Sequence, residues 1–152
     1  MDIEQLLDTV RSLDGILVLA PVAGSGAPEI AWGDYFFYYA PDGQVPTHEQ
    51  PFATIVTKDY PDDTASKLDT EGRWRVNVHV GQAALQRLVG GAVPSTVDFA
   101  AADTFLPHPV YGALGWVAVV NPGKRTAPAV VELVRSAHAD ARRRAARRAE
   151  GS

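Results

Sequence analysis

The stretch GRWRVNVHVG, residues 72–81, alternates almost without fault. Trp74, Val76, Val78 and Val80 fall on one side of an extended chain, and Arg73, Arg75, Asn77 and His79 fall on the other. A period of two over this many residues marks a β-strand, because a helix would scatter both sets around its axis. One side is apolar and seeks a core. The other is a row of hydrogen-bonding groups, which suits either a solvated sheet face or the wall of a cleft that holds a carboxylate or phosphate.

Working outward, the same reading yields further strands. YFFYY (35–39) is a dense aromatic run with β propensity. Tyr35, Phe37 and Tyr39 share one side and Phe36 and Tyr38 the other, so both faces are aromatic: one covers the core and the second meets a helix, a partner or a flat ligand. GILVLAPV (15–22) reads as a short buried strand, Ile30 and Trp32 as alternate residues of another, FATIVTKDY (52–60) as a further one, and GWVAVVNPG (115–123) as the last, anchored by Trp116. Turns separate them, such as Ala40-Pro41-Asp42-Gly43 and the Gly33-Asp34 bend. Helical spacing appears three times. Ile3, Leu6, Leu7, Val10 and Leu13 form a first stripe, with Asp2 and Glu4 at the favourable end of the helix dipole. Gln82–Val89 is a short helix closed by Gly90-Gly91. A long helix runs from Ala127 to about Ala149, capped by Thr126 with Pro128 in its first turn, and Val130, Val131, Leu133, Val134 and Ala137 are its buried side. Residues 92–103 fit neither period. The expected fold class is α+β: an antiparallel sheet with the N-terminal helix, a short middle helix and a long C-terminal helix packed on one face. The expected organisation is a single domain over 1–141, followed by an Arg-rich helix end over 142–152 with little apolar surface to hold it.

The 152 residues include no cysteine, which excludes disulfides, thiolate chemistry and cysteine-based metal centres. MDIEQLLDTV lacks the basic-then-apolar order of a secretory signal, and no apolar run approaches the ~20 residues of a membrane span, so a cytoplasmic protein without membrane contact is expected. Net charge is −4 but uneven: residues 132–152 carry about +3 and the remainder about −7. Nucleic-acid binders concentrate basic groups on the folded body. Here the body is acidic, so nucleic acid is not the expected partner and only weak binding through the tail survives as an alternative.

The chemistry-bearing candidates are few. His108 sits between Pro107 and Pro109, which restrict the backbone around an imidazole able to act near neutral pH. The plain reading is a ring that satisfies a turn. His79 shares the polar row with Arg75 and Asn77. KDYPDD (58–63) concentrates three carboxylates but lacks the spacing of a calcium loop and reads as a polar turn, with Lys58 at a strand end where it can point into a cleft. His48, His79, His108 and His138 show no paired metal-ligand spacing, and no phosphate loop, nucleotide-binding glycine pattern or nucleophile elbow occurs. No metal and no cofactor is expected.

Three longer stretches carry a resemblance. PEIAWGDYFFYYAPDG, PFATIVTKDYPDDTASKLD and FLPHPVYGALGWVAVVNPG are similar to an uncharacterised bacterial domain family of about this length. RVNVHVG (75–81) and residues 108–141 more distantly resemble the MmcQ/YjbR-like proteins. That resemblance implies an α+β fold often described as a double-wing DNA-binding architecture, from which the acidic body departs. It brings no catalytic residues with it. The expected function is therefore binding of a small molecule in an aromatic-lined pocket by Tyr38, Lys58, Arg75, Asn77, His79, His108 and Tyr111. The alternatives are a hydrolase- or isomerase-like enzyme with His108 or His79 as acid/base, oriented by Asp59 or Asp34, and a homodimer built on a sheet edge or the aromatic face.

Overall fold

Why the alternating strands close into one sheet is visible in a computed structural model, which describes residues 1–90 and 96–151. Helix α1 (Ile3–Arg11) begins at a reciprocal cap: the Asp2 carboxylate accepts from the Gln5 N–H, and the Gln5 side chain accepts from the Asp2 N–H. Strands β1 (Ile16–Leu19), β2 (Tyr35–Tyr39), β3 (Ala53–Val56) and β4 (Arg75–His79) form an antiparallel meander. Helix α2 (Gln82–Val89) follows and ends on Gly90 in the left-handed conformation. The short β5 (Leu106–Pro107) and β6 (Trp116–Val120) complete the sheet in the order β1-β2-β3-β4-β6-β5, all neighbours antiparallel. Helix α3 (Ala127–Glu150) closes the fold. Among the described residues, no helix is long and apolar enough to cross a membrane. Gly91, expected to help end α2, and the first part of 92–103 lie outside the described residues, as does Ser152.

The register sorts side chains into two faces. Phe37, Ile55, Val76, Val78, Val117 and Val119 point to one side and are almost wholly buried. They pack against Leu6, Leu7 and Val10 of α1, Leu85 of α2, and Val130, Val134 and Ala137 of α3, which puts all three helices on one core. The opposite face carries the row Phe36–Thr54–Asn77–Ala118–Leu106, flanked by Arg75 and Trp116.

Several expectations need correction. Ile30 and Trp32 are not in a strand: Glu29–Ala31 is a single 3-10 turn after Pro28, and the Trp32 indole donates to the Ala27 carbonyl. Residues 15–22 yield only the half-buried edge strand β1. Thr126 does not cap α3 with its own oxygen. Asp103 instead fixes the turn that leads into the helix, accepting from the N–H groups of Gly123, Arg125 and Thr126 and from the Thr126 hydroxyl. These four donors hold the Asp103 carboxyl down at about 2. Along α3 the buried stripe is Val130, Val134, Ala137, His138 and Ala141, with Val131 and Leu133 only half-buried. Beyond it the helix continues to Glu150, with Arg142 3.6 Å from Asp14 and Arg148 2.5 Å from Glu49.

Candidate functional site

Polar side chains on a central strand are costly to bury unless they find partners, and β4 shows how this chain meets that cost. Arg75 and Asn77 are 1% and 2% exposed, as deep as Val76 and Val78 beside them. The polar row is therefore not a solvated face. The Arg75 guanidinium grips the Asp63 carboxylate with both terminal nitrogens, at 3.0 and 2.5 Å, in a bidentate pair. It also donates to the Ser66 hydroxyl at 2.9 Å and, through Nε, to the Asn77 oxygen at 2.7 Å. Asn77 in turn donates to Thr54 on β3 at 3.0 Å. Asp63 arrives on the tight 60–63 turn, whose ends exchange backbone hydrogen bonds with each other. Burial pushes its carboxyl up, but the hydrogen bonds and charge of Arg75 outweigh this and hold it below the usual range.

His108 completes the cluster and is 6% exposed. The backbone N–H groups of Val110 and Tyr111 both aim at Nδ1, at 3.0 Å. Nε2 stands 3.2 Å from an Arg75 terminal nitrogen and 3.8 Å from Asp63. A neutral imidazole has one lone pair, and both sides compete for it. The two amides prevail because the backbone fixes their directions, so the ring proton lies on Nε2, beside the guanidinium. Burial, then the Arg75 charge, lowers the imidazole pKa to about 4. Such a ring is a poor general base at neutral pH: its lone pair is held by the chain and its other nitrogen carries a proton. The stretch between the prolines is a turn tied to β6, since the His108 N–H donates to the Trp116 carbonyl and Gly112 donates back to the His108 carbonyl. Gly115, at φ 86°, ends this turn. A Cβ there would stand 2.8 Å from the Gly81 backbone, so only glycine lets the turn approach the start of α2.

Above this polar floor lies a cavity of about 540 Å³. Phe36, Tyr38, Val56 and Trp116 line it from the strands, and Tyr60, Val110, Tyr111 and Leu114 from the loops. Ile30, Val110, Tyr111 and Leu114 are exposed around its mouth. Burial raises the Tyr38 phenol. The structure thus gathers Tyr38, Arg75, Asn77, His108 and Tyr111 at one cavity.

It does not bring Lys58 or His79 there. Lys58 donates to the Trp32 carbonyl at 2.7 Å and to Asp34 at 3.0 Å. Asp34 is wholly buried and also accepts from the Thr57 N–H and hydroxyl and from the Tyr60 hydroxyl, the last at 2.5 Å. Burial, and then this bond to Asp34, pushes the Tyr60 phenol far up. His79 packs against Trp116, with ring centres 5.6 Å apart and planes tilted by 59°, and does not line the cavity. Neither Asp34 nor Asp59 orients a histidine, since Asp59 accepts from the Leu68 N–H and the carboxylate nearest His108 is Asp63. Asp63, Thr54 and Ser66 are the partners that sequence reasoning passed over. One signal for Asp63 existed: an arginine central in a sheet requires a carboxylate, and KDYPDD is the acidic turn just upstream.

A family model matches residues 1–150, and its description is a family of unknown function, DUF6194. Neither a curated protein nor a solved structure matches the chain.

Proposed function

The chain belongs to this family of unknown function, and we propose that it binds a small, flat organic molecule in the cavity over the second sheet face. One observation carries the reading. Alternate residues of the same strands that build the core present aromatic rings above a hydrogen-bonded floor, and the segments above them leave about 540 Å³ open instead of packing down. Concave, mostly apolar sites with a few fixed polar groups are how small molecules are held. The spent lone pair of His108 favours binding over acid/base catalysis. The pairing of α3 arginines with Asp14, Glu49, Glu132 and Asp140 weakens the case for a nucleic-acid tail. An MmcQ/YjbR-like relationship and a cytoplasmic setting belong to the same proposal, resting on the residues quoted above and on the absence of cysteine.

The test is a thermal-shift panel of planar aromatic compounds, neutral and charged, followed by amide and side-chain NMR of the hits. Binding should raise the melting temperature, and the perturbed signals should gather on Phe36, Thr54 and Trp116. Failure of every compound to stabilise the protein, or perturbations gathered instead where the 40–47 turn meets α3, would remove the reading.

A further inference from the structure

We infer that the cavity selects a cationic aromatic ligand, a protonated amine on a planar ring system, over an anionic one; this rests on the cavity being a binding site. The polar row on β4 suggested a carboxylate or phosphate. The geometry reverses that sign. Arg75 is the cation among the lining residues, and its charge is already matched at close range by the bidentate Asp63. Four of its five N–H groups go to Asp63, Ser66 and Asn77, and the fifth faces His108. That last N–H meets the protonated Nε2 and is unmatched, but Arg75 is 1% exposed, so its guanidinium presents almost no surface to a ligand.

Asp62 lines the same cavity from the exposed tip of the 60–63 turn, and no cation of the described residues lies within ion-pair distance of it. With His108 neutral, the lining carries two carboxylates against one guanidinium, a formal charge of about −1. The aromatic walls add to this preference, because the faces of Phe36, Tyr38, Tyr60 and Trp116 attract a cation through their quadrupoles. An anion entering the cavity meets an unanswered carboxylate and negative ring faces, with no unpaired cation in the lining to compensate. An ammonium finds Asp62 at the mouth while its rings lie against the walls.

Three indole probes of matched shape separate the terms: tryptamine, tryptophol and indole-3-acetate, titrated by calorimetry at low salt. Tryptamine should bind about five- to tenfold more tightly than indole-3-acetate, the range expected for a partly solvated charge contact, with tryptophol between them. Asp62→Asn should bring the ratio close to one and leave tryptophol unchanged. Equal or tighter binding of indole-3-acetate, or an unaltered ratio in Asp62→Asn, overturns the charge inference while the cavity stands. Binding of none of the three probes removes both.

Discussion

Val76 and Val78 on one face of β4, and Arg75 and Asn77 on the other, are equally buried and are held by different physics. The valines are covered by three helices, whose apolar side chains pack into the same core. Such burial is non-directional and stabilises by about 25 cal/mol per Å² of apolar area. The arginine and asparagine are covered by loops, so each polar atom needs a partner of fixed direction. Asp63, Ser66 and Thr54 supply these, and Arg75 and Asn77 bond to each other. Helices close over a sheet, whereas directional bonds hold loops at a distance. That is why one face is a core and the other a floor with open space above it.

The largest effect should come from breaking the directional side. Arg75→Met keeps the length of the side chain but strands the Asp63 carboxylate beside an apolar strand, and should cost about 3–5 kcal/mol. Val78→Ala on the other face removes two methyl groups and leaves a small cavity, for a loss of about 2 kcal/mol. Urea midpoints at a constant slope measure both. Adding Asp63→Asn to Arg75→Met should recover part of the loss, because the stranded charge is the main penalty. If the pair of substitutions is no better than Arg75→Met alone, the charge pairing is not what holds this face.

Acid offers the next contrast, since the core-facing strand residues carry nothing that titrates between pH 4 and 7. His108 does, and the sign follows from its depressed pKa. The unfolded chain takes up a proton near 6.5, while the folded ring resists until about 4. Stability therefore falls as pH drops through 6.5, and this loss is complete near 4, at roughly 3 kcal/mol for a shift of this size. Below that, protonation of Asp63 and of Asp103, both held below their ordinary values by bonds made in the fold, continues the decline. Denaturation between pH 7 and 4 should show His108→Gln losing about 3 kcal/mol less than the parent. Parallel pH profiles for the two proteins would mean that the ring is not buried neutral.

The same contrast explains what could be read in advance. Alternation placed Val76 and Val78 against helices because both sides of that contact have a repeating apolar pattern. The helical stripes at 3–10 and 130–137 and the strand at 116–120 were legible for the same reason. It also grouped Arg75 with Asn77, and Phe36 with Tyr38, on one face. What covers that face was not legible. Asp63 and His108 lie 12 and 33 residues from Arg75, on turns whose composition is that of ordinary surface loops. Ile30 and Trp32 mimicked a strand over three residues, too short a window for periodicity to outweigh Pro28. Lys58 was read toward the cleft because no local pattern announces a buried acid 24 residues earlier.

The smallest effect sharpens the comparison most. Thr54→Val is nearly isosteric and removes one acceptor, the hydroxyl that receives the Asn77 amide. Asn77 keeps its oxygen bound to Arg75, and the cavity lets water approach its nitrogen, so the cost should be about 1 kcal/mol, the low end for a buried donor losing its partner. Ile55→Val, the neighbour on the helix-packed face, should cost a similar ~1 kcal/mol by losing one methylene. Equal losses would have opposite origins, and a ligand distinguishes them. Thr54→Val makes the cavity floor less polar and should tighten binding of a neutral planar probe such as tryptophol, whereas Ile55→Val should leave it unchanged. A loss with Thr54→Val as large as with Arg75→Met would show instead that the polar floor acts as one cooperative unit, in which no bond can be removed singly.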